Sequence, residues 1–346
     1  MCVRLTHSDR LIPLLGFLLA AGLAGCASTS GAAGEAALRR FEYSQVHMGV
    51  RARLVLYADG EANAEAAARA AFERIAQLDA MMSDYRSDSE LMQLCDRAGT
   101  GPVIVSDELF EVLTFAKELH ERSGGAFDVT AGPAVRLWRD MRRSERLADP
   151  DEFEAARSLV GSPWMRLDAE SQTVELLKPG MQLDLGGIAK GYACDAAAEV
   201  LRSRAIRRFL VALAGDIVVG EPPPGDSAWE IAVEGGAGQA AAETLRLSNA
   251  AVSTSGDAQQ FVEIDGVRYA HLVDPRTGLG SPRRIAATVI APRGMIADAL
   301  ATTLCLLPVE DGLTLAREHG GVAARIAESE GEEITVRSTG RMKSVP

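Results

Sequence analysis

Leu183-Asp184-Leu185-Gly186-Gly187-Ile188-Ala189-Lys190-Gly191-Tyr192 begins as a short apolar alternation, runs into paired glycines and continues with helical spacing. The alternation over Met181 to Leu185 predicts a strand, and the pattern over Ile188 to Ser203 predicts a helix. Such a junction suits an anion: glycines let a ligand approach the backbone, and a helix N-terminus favours negative charge. Lys190 in the first turn adds a cation. The spacing fits neither a Walker loop nor the dinucleotide fingerprint. By itself a Gly-Gly helix start reads more readily as packing than as phosphate binding.

Working outward, residues Phe41 to Tyr57 alternate as one or two strands, and Glu61 to Met82 forms an alanine-rich amphipathic helix. A second helix is expected from Asp107 to Arg122, stopped by Gly124-Gly125, and Gly132-Pro133 opens a turn or short helix through Trp138. Short strands are expected at Thr173–Leu177, Phe209–Ala212, Trp229–Val233, Ala251–Thr254, Phe261–Ile264, Tyr269–Val273 and Ala286–Ile290, then a helix over Met295–Leu306. Pro222-Pro223-Pro224-Gly225 reads as an exposed loop, and no repeat or internal linker interrupts the chain. The expected fold class is therefore α+β, a single compact domain of mixed sheets with packed helices spanning residues 41–340.

The first 25 residues belong to a different category. Arg4 and Arg10 precede an apolar run from Leu11 to Gly22 that contains Pro13 and is short for a membrane span, and Leu23-Ala24-Gly25-Cys26 follows. Residues 1–25 read as an export signal, and Leu-Ala-Gly-Cys resembles a bacterial lipobox, which implies acyl chains on Cys26 as the first mature residue. Several chains on one cysteine would anchor the protein, where a single chain binds only marginally. Small and polar residues from Ala27 to Ala37 make 26–40 a flexible tether. The expectation is an exported lipoprotein on the periplasmic or outer side of a bacterial membrane.

The chain has 346 residues and a formal net charge of −12. Arg4, Arg10 and Asp9 contribute +1 to the predicted signal, so the mature protein carries −13. That surface argues against nucleic acid as a partner, and any polyanionic ligand must be held by a metal ion, backbone N–H groups or a few placed cations. Beyond Cys2 and Cys26 the cysteines are Cys95, Cys194 and Cys305, too few to pair completely and without zinc spacing, so buried free thiols are expected.

Two further segments bear on chemistry. Tyr269-Ala270-His271-Leu272-Val273-Asp274-Pro275-Arg276-Thr277-Gly278 is a strand running into a polar turn. A histidine with an ordinary pKa near 6.5 can take a proton from a nucleophile, and it can equally be a core histidine bonded to Asp274 or backbone. In Ile296-Ala297-Asp298-Ala299-Leu300-Ala301-Thr302 the oxygens of Asp298 and Thr302 share a helix face, as a hard cation such as Mg²⁺ would use. Alone, Asp298 reads as well as a residue favoured by the helix dipole.

Taken in order, these segments resemble the ApbE family of FAD:protein FMN transferases. The resemblance runs from about Met48 to Leu307. It rests on Met82-Ser83-x-Tyr85, Gly125-x-Phe127-Asp128-Val129-Thr130-x-Gly132-Pro133, the 184–191 junction, Ser253-Thr254-Ser255-Gly256-Asp257, His271-x-x-Asp274-Pro275-Arg276-Thr277-Gly278 and Ala297 to Thr302. It implies FAD as substrate, with contacts from Met48, Tyr85, Ala126, Phe127, Asp128, Asp184, Lys190 and Leu272. It implies Mg²⁺ at Asp298, Thr302 and the Gly187 carbonyl, and His271 as the group that activates an acceptor hydroxyl. Ser255, Gly256 and Asp257 would lie nearby. The implied reaction moves FMN from FAD to a Ser or Thr hydroxyl of an acceptor protein, a membrane redox subunit, and releases AMP. Where relatives carry Asn-x-Gly-Gly-Asp-Ile this chain has Ala212-Leu213-Ala214-Gly215-Asp216-Ile217, which removes any side-chain role at Ala212. No acceptor motif occurs in the chain, so self-modification is not expected. Two alternatives use the same residues: an FAD pyrophosphatase with water as acceptor, and a non-catalytic flavin-binding lipoprotein.

Overall fold

The computed structural model describes residues 38–233, 243–256, 261–331, 333–340 and 342. The predicted signal, Cys26 and Asp257 lie outside the described residues. The chain opens with β1 (Arg39–His47), β2 (Val50–Ala58), α1 (Glu61–Met82), α2 (Glu90–Asp96), β3 (Val103–Ile104), α3 (Asp107–Arg122), α4 (Gly132–Ser144) and α5 (Pro150–Arg157). It continues with β4 (Met165–Asp168), β5 (Thr173–Leu176), α6 (Ala189–Ser203), β6 (Phe209–Leu213), β7 (Asp216–Val219), β8 (Trp229–Val233), β9 (Glu243–Leu247) and β10 (Ala250–Gly256). The last elements are β11 (Phe261–Ile264), β12 (Val267–Ala270), β13 (Arg284–Ala291), α7 (Gly294–Leu304), α8 (Val309–Glu318), β14 (Ala323–Glu330) and β15 (Glu333–Ser338).

An eight-stranded sheet of order β1-β2-β6-β7-β10-β13-β14-β15 forms the spine. Every neighbouring pair in it is antiparallel. Alternation divides its side chains between two faces. Leu54, Leu56, Val211, Leu213, Ala287 and Val289 face a large core shared with α1, α6 and α7. Val55, Leu210, Ile217, Val219 and Val252 face the other way, where the β8–β9 hairpin covers them with Trp229, Ile231, Leu245 and Leu247. Central strands are thus buried on both sides, which explains the unbroken apolar run of Phe209–Leu213. The expected α+β single-domain class holds.

The helical layer follows its sequence closely. Ala64, Ala67, Ala68, Ala71, Phe72, Ile75, Leu78 and Met82 are buried along one face of α1. Alanines on that face allow α1 to lie near α6, which answers with Ala193, Ala197 and Ala198. Ser89 and Ser106 accept backbone N–H groups at the starts of α2 and α3. Helix α4 continues past Trp138 to Ser144, because Met141 extends the buried stripe by another turn. Cys95 and Cys194 are buried free thiols, as expected, Cys305 is buried as well, and burial pushes the Cys95 thiol up to about 11.

Met181–Leu185 is not a strand, in contrast to the sequence expectation. Its N–H groups are spent individually: Leu183 donates to Cys95 Sγ at 3.3 Å and Asp184 to the Val129 carbonyl at 2.8 Å. With neighbours contributed by a side chain and by the single 3-10 turn at Val129–Ala131 there is no ladder to join. The strand expected through Val273 likewise stops at Ala270, leaving an isolated bridge between Val273 and Gly280. The helices α2, α5 and α8 and the strands β3, β4, β7, β9, β14 and β15 have no counterpart in the expectations above.

Helices α6 and α7 cross at two glycines. A Cβ on Gly191 would lie 2.2 Å from the Gly294 carbonyl oxygen and 2.7 Å from Asp298 Cβ. From the next turn of α6, Asp195 accepts the N–H groups of Gly294 at 2.6 Å and Met295 at 3.0 Å, capping α7 from a neighbouring helix. Gly191→Ala is therefore expected to lower stability by about 2 kcal/mol or more, through forced separation of the helices. Urea unfolding checks this; an unchanged midpoint would mean that the crossing tolerates a methyl group.

Candidate active site

The 183–191 junction turns tightly. Asp184 Oδ1 accepts the Gly186 N–H at 2.8 Å, and the Leu185 carbonyl accepts from Ile188 and Ala189 at 3.0 and 2.9 Å. This swings Gly187 against α7, where an added Cβ would lie 3.1 and 3.2 Å from Thr302 Cγ2 and Oγ1. Gly187 is thus closely approached at an ordinary torsion, and a methyl group there would have to push the Thr302 side chain aside by a few tenths of an ångström. Ser255 Oγ, from the end of β10, lies 3.3 Å from Thr302 Oγ1.

Beneath the junction sits a buried charge cluster. Lys190 Nζ lies 3.3 Å from Asp216 Oδ2, 3.4 Å from Asp298 Oδ2 and 3.0 Å from the Gly186 carbonyl oxygen. Ser253, opposite Asp216 in the β7–β10 register, donates its hydroxyl to Asp216 Oδ1 at 2.6 Å. The Gly191 N–H donates to Asp298 Oδ2 at 3.0 Å. Asp216 and Asp298 are only 3% and 1% exposed. Burial alone would lower the lysine pKa, but the two carboxylates outweigh it and hold the ammonium charged. Burial first, and then the Asp216 charge, push the Asp298 carboxyl upward against the opposing pull of Lys190.

Two carboxylates facing one ammonium leave an excess negative charge away from water, which is costly unless a cation joins it. The nearby donors are a carboxylate, a hydroxyl and backbone oxygen. That set suits a hard divalent ion such as Mg²⁺ and does not suit a soft one. Among the described residues no group of three or more His, Cys, Asp or Glu side chains could hold a metal ion, so an ion here would need hydroxyl and backbone oxygens as well.

A cavity of about 510 Å³ opens above this cluster. Tyr85, Ala126, Phe127, Asp128, Asp184, Gly187, Lys190, His271, Leu272, Asp298 and Thr302 all line it, so residues far apart in sequence meet at one place. Ser255 and Gly256 line it as well. Met48 does not. It occupies the β1–β2 turn at φ 50°, its N–H donates to Asp79 Oδ2 at 2.9 Å, and Val50 takes the lining position instead.

Asp128 lines the cavity with its oxygens already committed. Oδ1 accepts from the Thr130 N–H at 2.8 Å and hydroxyl at 2.6 Å, while Oδ2 accepts the Ser162 N–H at 3.1 Å and lies 3.2 Å from His120 Nδ1. That contact with Asp128 raises the His120 pKa. The aspartate therefore fixes the loop that presents Ala126 and Phe127.

Arg139 has no place in the sequence reading, yet it also lines the cavity. It pairs with Asp84, and with Asp184 Oδ2 at 2.7 Å, and its guanidinium lies 4.6 Å from the ring centre of Tyr85, which is 78% exposed. Burial and the neighbouring Asp84 push the Asp184 carboxyl up, with Arg139 opposing. The signal was available: Val135, Trp138, Arg139 and Arg142 all line the cavity at spacings of three, four and seven, one face of α4. Asp216 and Ser253 were also missed as partners of Lys190, because only the strand register brings them together.

His271 reaches the cavity by way of a constrained loop. Ala270 and Asp274 donate to the Ser281 and Leu279 carbonyls at 2.8 and 2.9 Å, and Ser281 returns a bond to Leu272 at 2.9 Å. Gly280 is obligatory here, since a Cβ would sit 2.2 Å from the Ala270 carbonyl and 2.5 Å from Trp138. The Asp274 carboxylate takes the guanidinium of Arg276 at 2.9 and 2.7 Å, and Arg276 also donates to the Leu306 carbonyl at 2.7 Å. The histidine loop is thereby tied to the end of α7, the helix that carries Asp298 and Thr302.

With this geometry in hand, similarity to known proteins becomes informative. A FAD:protein FMN transferase from Treponema pallidum is 34% identical over 308 residues, covering 84% of this chain and 85% of that one. The solved structure of the flavin transferase ApbE from Vibrio cholerae superposes with a TM-score of 0.80 at 28% identity, covering 88% of this chain and 99% of the other. The flavinyl transferase ApbE of Pseudomonas stutzeri in its apo form gives 0.78 at 31% identity, over 89% and 98%. The model of the ApbE family matches residues 48–326, so this chain belongs to the ApbE family.

Proposed function

We propose that this chain transfers the FMN half of FAD to a serine or threonine hydroxyl of an acceptor protein and releases AMP. The observation that carries the reading is the meeting of His271, Lys190, Gly187, Asp298 and Thr302 around one cavity walled by Tyr85 and Phe127. Relatives named FAD:protein FMN transferase, similar over most of their length, support it.

Tyr85 and Phe127 offer aromatic surface to a flat ring system, and the Arg139 guanidinium lies over the Tyr85 ring. At the other end the 186–190 turn faces the diphosphate. Lys190, kept protonated by Asp216 and Asp298, supplies a fixed positive charge there. Asp298, Thr302 and Gly187 would hold Mg²⁺, which when bound neutralises phosphate charge and eases departure of the leaving group. His271 takes the proton from the incoming hydroxyl. The hydroxyl oxygen bonds to the flavin-side phosphorus, the P–O bond to the adenosine-side phosphate breaks, and its electron pair leaves on AMP. The products are an FMN phosphoester on the acceptor and AMP.

Separation of products after incubation with FAD, Mg²⁺ and a candidate acceptor tests this. The reading predicts acceptor carrying FMN together with AMP. Free FMN with AMP would make the chain a pyrophosphatase, and intact bound FAD would make it a carrier.

The same proposal places the enzyme outside the cytoplasm on a lipid anchor at Cys26, with residues 1–25 removed and a tether that ends two residues earlier than the sequence suggested, because Arg39 and Arg40 already pair with Ala58 and Tyr57 in β1. Leu23-Ala24-Gly25-Cys26 supports this placement. Cys26→Ala is expected to move the protein from the membrane to the soluble fraction of cells; equal membrane retention would contradict the anchor.

A further inference from the structure

We propose that a second cavity, of about 790 Å³, seats the acceptor polypeptide beside the flavin site. The inference rests on the transferase reading, since only a protein acceptor needs such a seat.

Position comes first. The two cavities share Leu306 as a lining residue, and the turn at 274–276 stands between them: Pro275 lines the flavin cavity, while Asp274 and Arg276 line the second. A segment lying in the second cavity is therefore one turn away from His271. Size is adequate, falling within the range of sites that enclose a sizeable ligand.

The walls describe the occupant. One is the outer end of β14 and β15, where Glu328, Glu330, Thr335 and Arg337 line the cavity, and another is the start of α8 at Pro308–Glu310. Strand β15 ends the eight-strand order, pairs only with β14 among the described residues, and is largely exposed. An edge strand offers backbone N–H and C=O groups to an extended chain, which is the usual way sheets accept peptides.

Charge narrows the choice further. Three guanidiniums line the cavity, and each already faces a carboxylate: Arg276 with Asp274 at 2.7 Å, Arg283 with Glu328 at 2.7 Å and Arg337 with Glu310 at 2.8 Å. A phosphate or acidic ligand would have to break these pairs. An extended, uncharged, hydroxyl-bearing segment need not, and it is the segment that supplies the nucleophile.

Thr335→Trp tests the assignment, because Thr335 is an exposed residue whose enlargement fills the groove without entering the core. The expected result is a rise of about tenfold or more in KM for the acceptor protein. KM for FAD and the melting temperature should stay as in the unaltered chain. An unchanged acceptor KM, or equal losses for FAD and acceptor, would overturn the proposal. As a second measurement, Thr335→Cys bearing a photocrosslinker should capture the acceptor within the peptide that holds the flavinylated hydroxyl; capture elsewhere on the acceptor, or none, would overturn it. If the unaltered chain modifies no acceptor at all, the transferase reading fails, and the seat fails with it.

Discussion

Asp298→Asn is expected to reduce Mg²⁺-dependent AMP release from FAD by about a thousandfold, near 4 kcal/mol of transition-state stabilisation, while the chain stays folded. The amide keeps an oxygen for the Gly191 N–H, which Asp298 accepts at 3.0 Å. What disappears is the second buried carboxylate. Asp216 and Lys190 then form a balanced pair, so the variant without metal should melt no lower than the unaltered chain. In the unaltered chain Mg²⁺ should raise the melting temperature, because an ion bound only by the folded state adds stability that grows with its concentration. The variant should lose that response. Retained Mg²⁺-dependent turnover, or a retained thermal response, would show that the ion is held elsewhere.

His271→Ala is expected to slow transfer by about a hundredfold or more, with FAD affinity changed by no more than about twofold. The histidine lies on the loop that Arg276 clamps to the Leu306 carbonyl, so removal of its ring leaves the wall of the cavity in place. The loss should fall on kcat, and the limb of the pH–rate profile produced by protonation of the base should vanish. A parallel loss of FAD binding and turnover would instead mark His271 as a structural member of the wall.

Much of the fold was legible where local physics decides it. The repeated alanines of Glu61–Met82 and the capped, amphipathic run Asp107–Arg122 define helices at the bounds expected from their spacing. Met181–Leu185 misled because its alternation is genuine, but its partners are a thiol and the carbonyl of a 3-10 turn, which no local pattern records. The same limit applies to the site. Gly187, Lys190, Asp298 and Thr302 each carry a bland local reading, and family resemblance was needed to gather them. Arg139 and Asp216 escaped even so, since their roles depend on a helix face turned to the cavity and on a strand register. Met48 shows the converse: a matching position need not line the cavity, because the β1–β2 turn directs Val50 there instead.

The central claim is that phosphorus on the flavin side is transferred to protein. FAD labelled separately in its flavin and adenosine halves, incubated with the full chain, Mg²⁺ and an acceptor, tests it most directly. The account predicts flavin label bound covalently to a Ser or Thr of the acceptor and adenosine label released as AMP in equal amount. Adenosine label on the acceptor, or release of both halves with none retained, would contradict it.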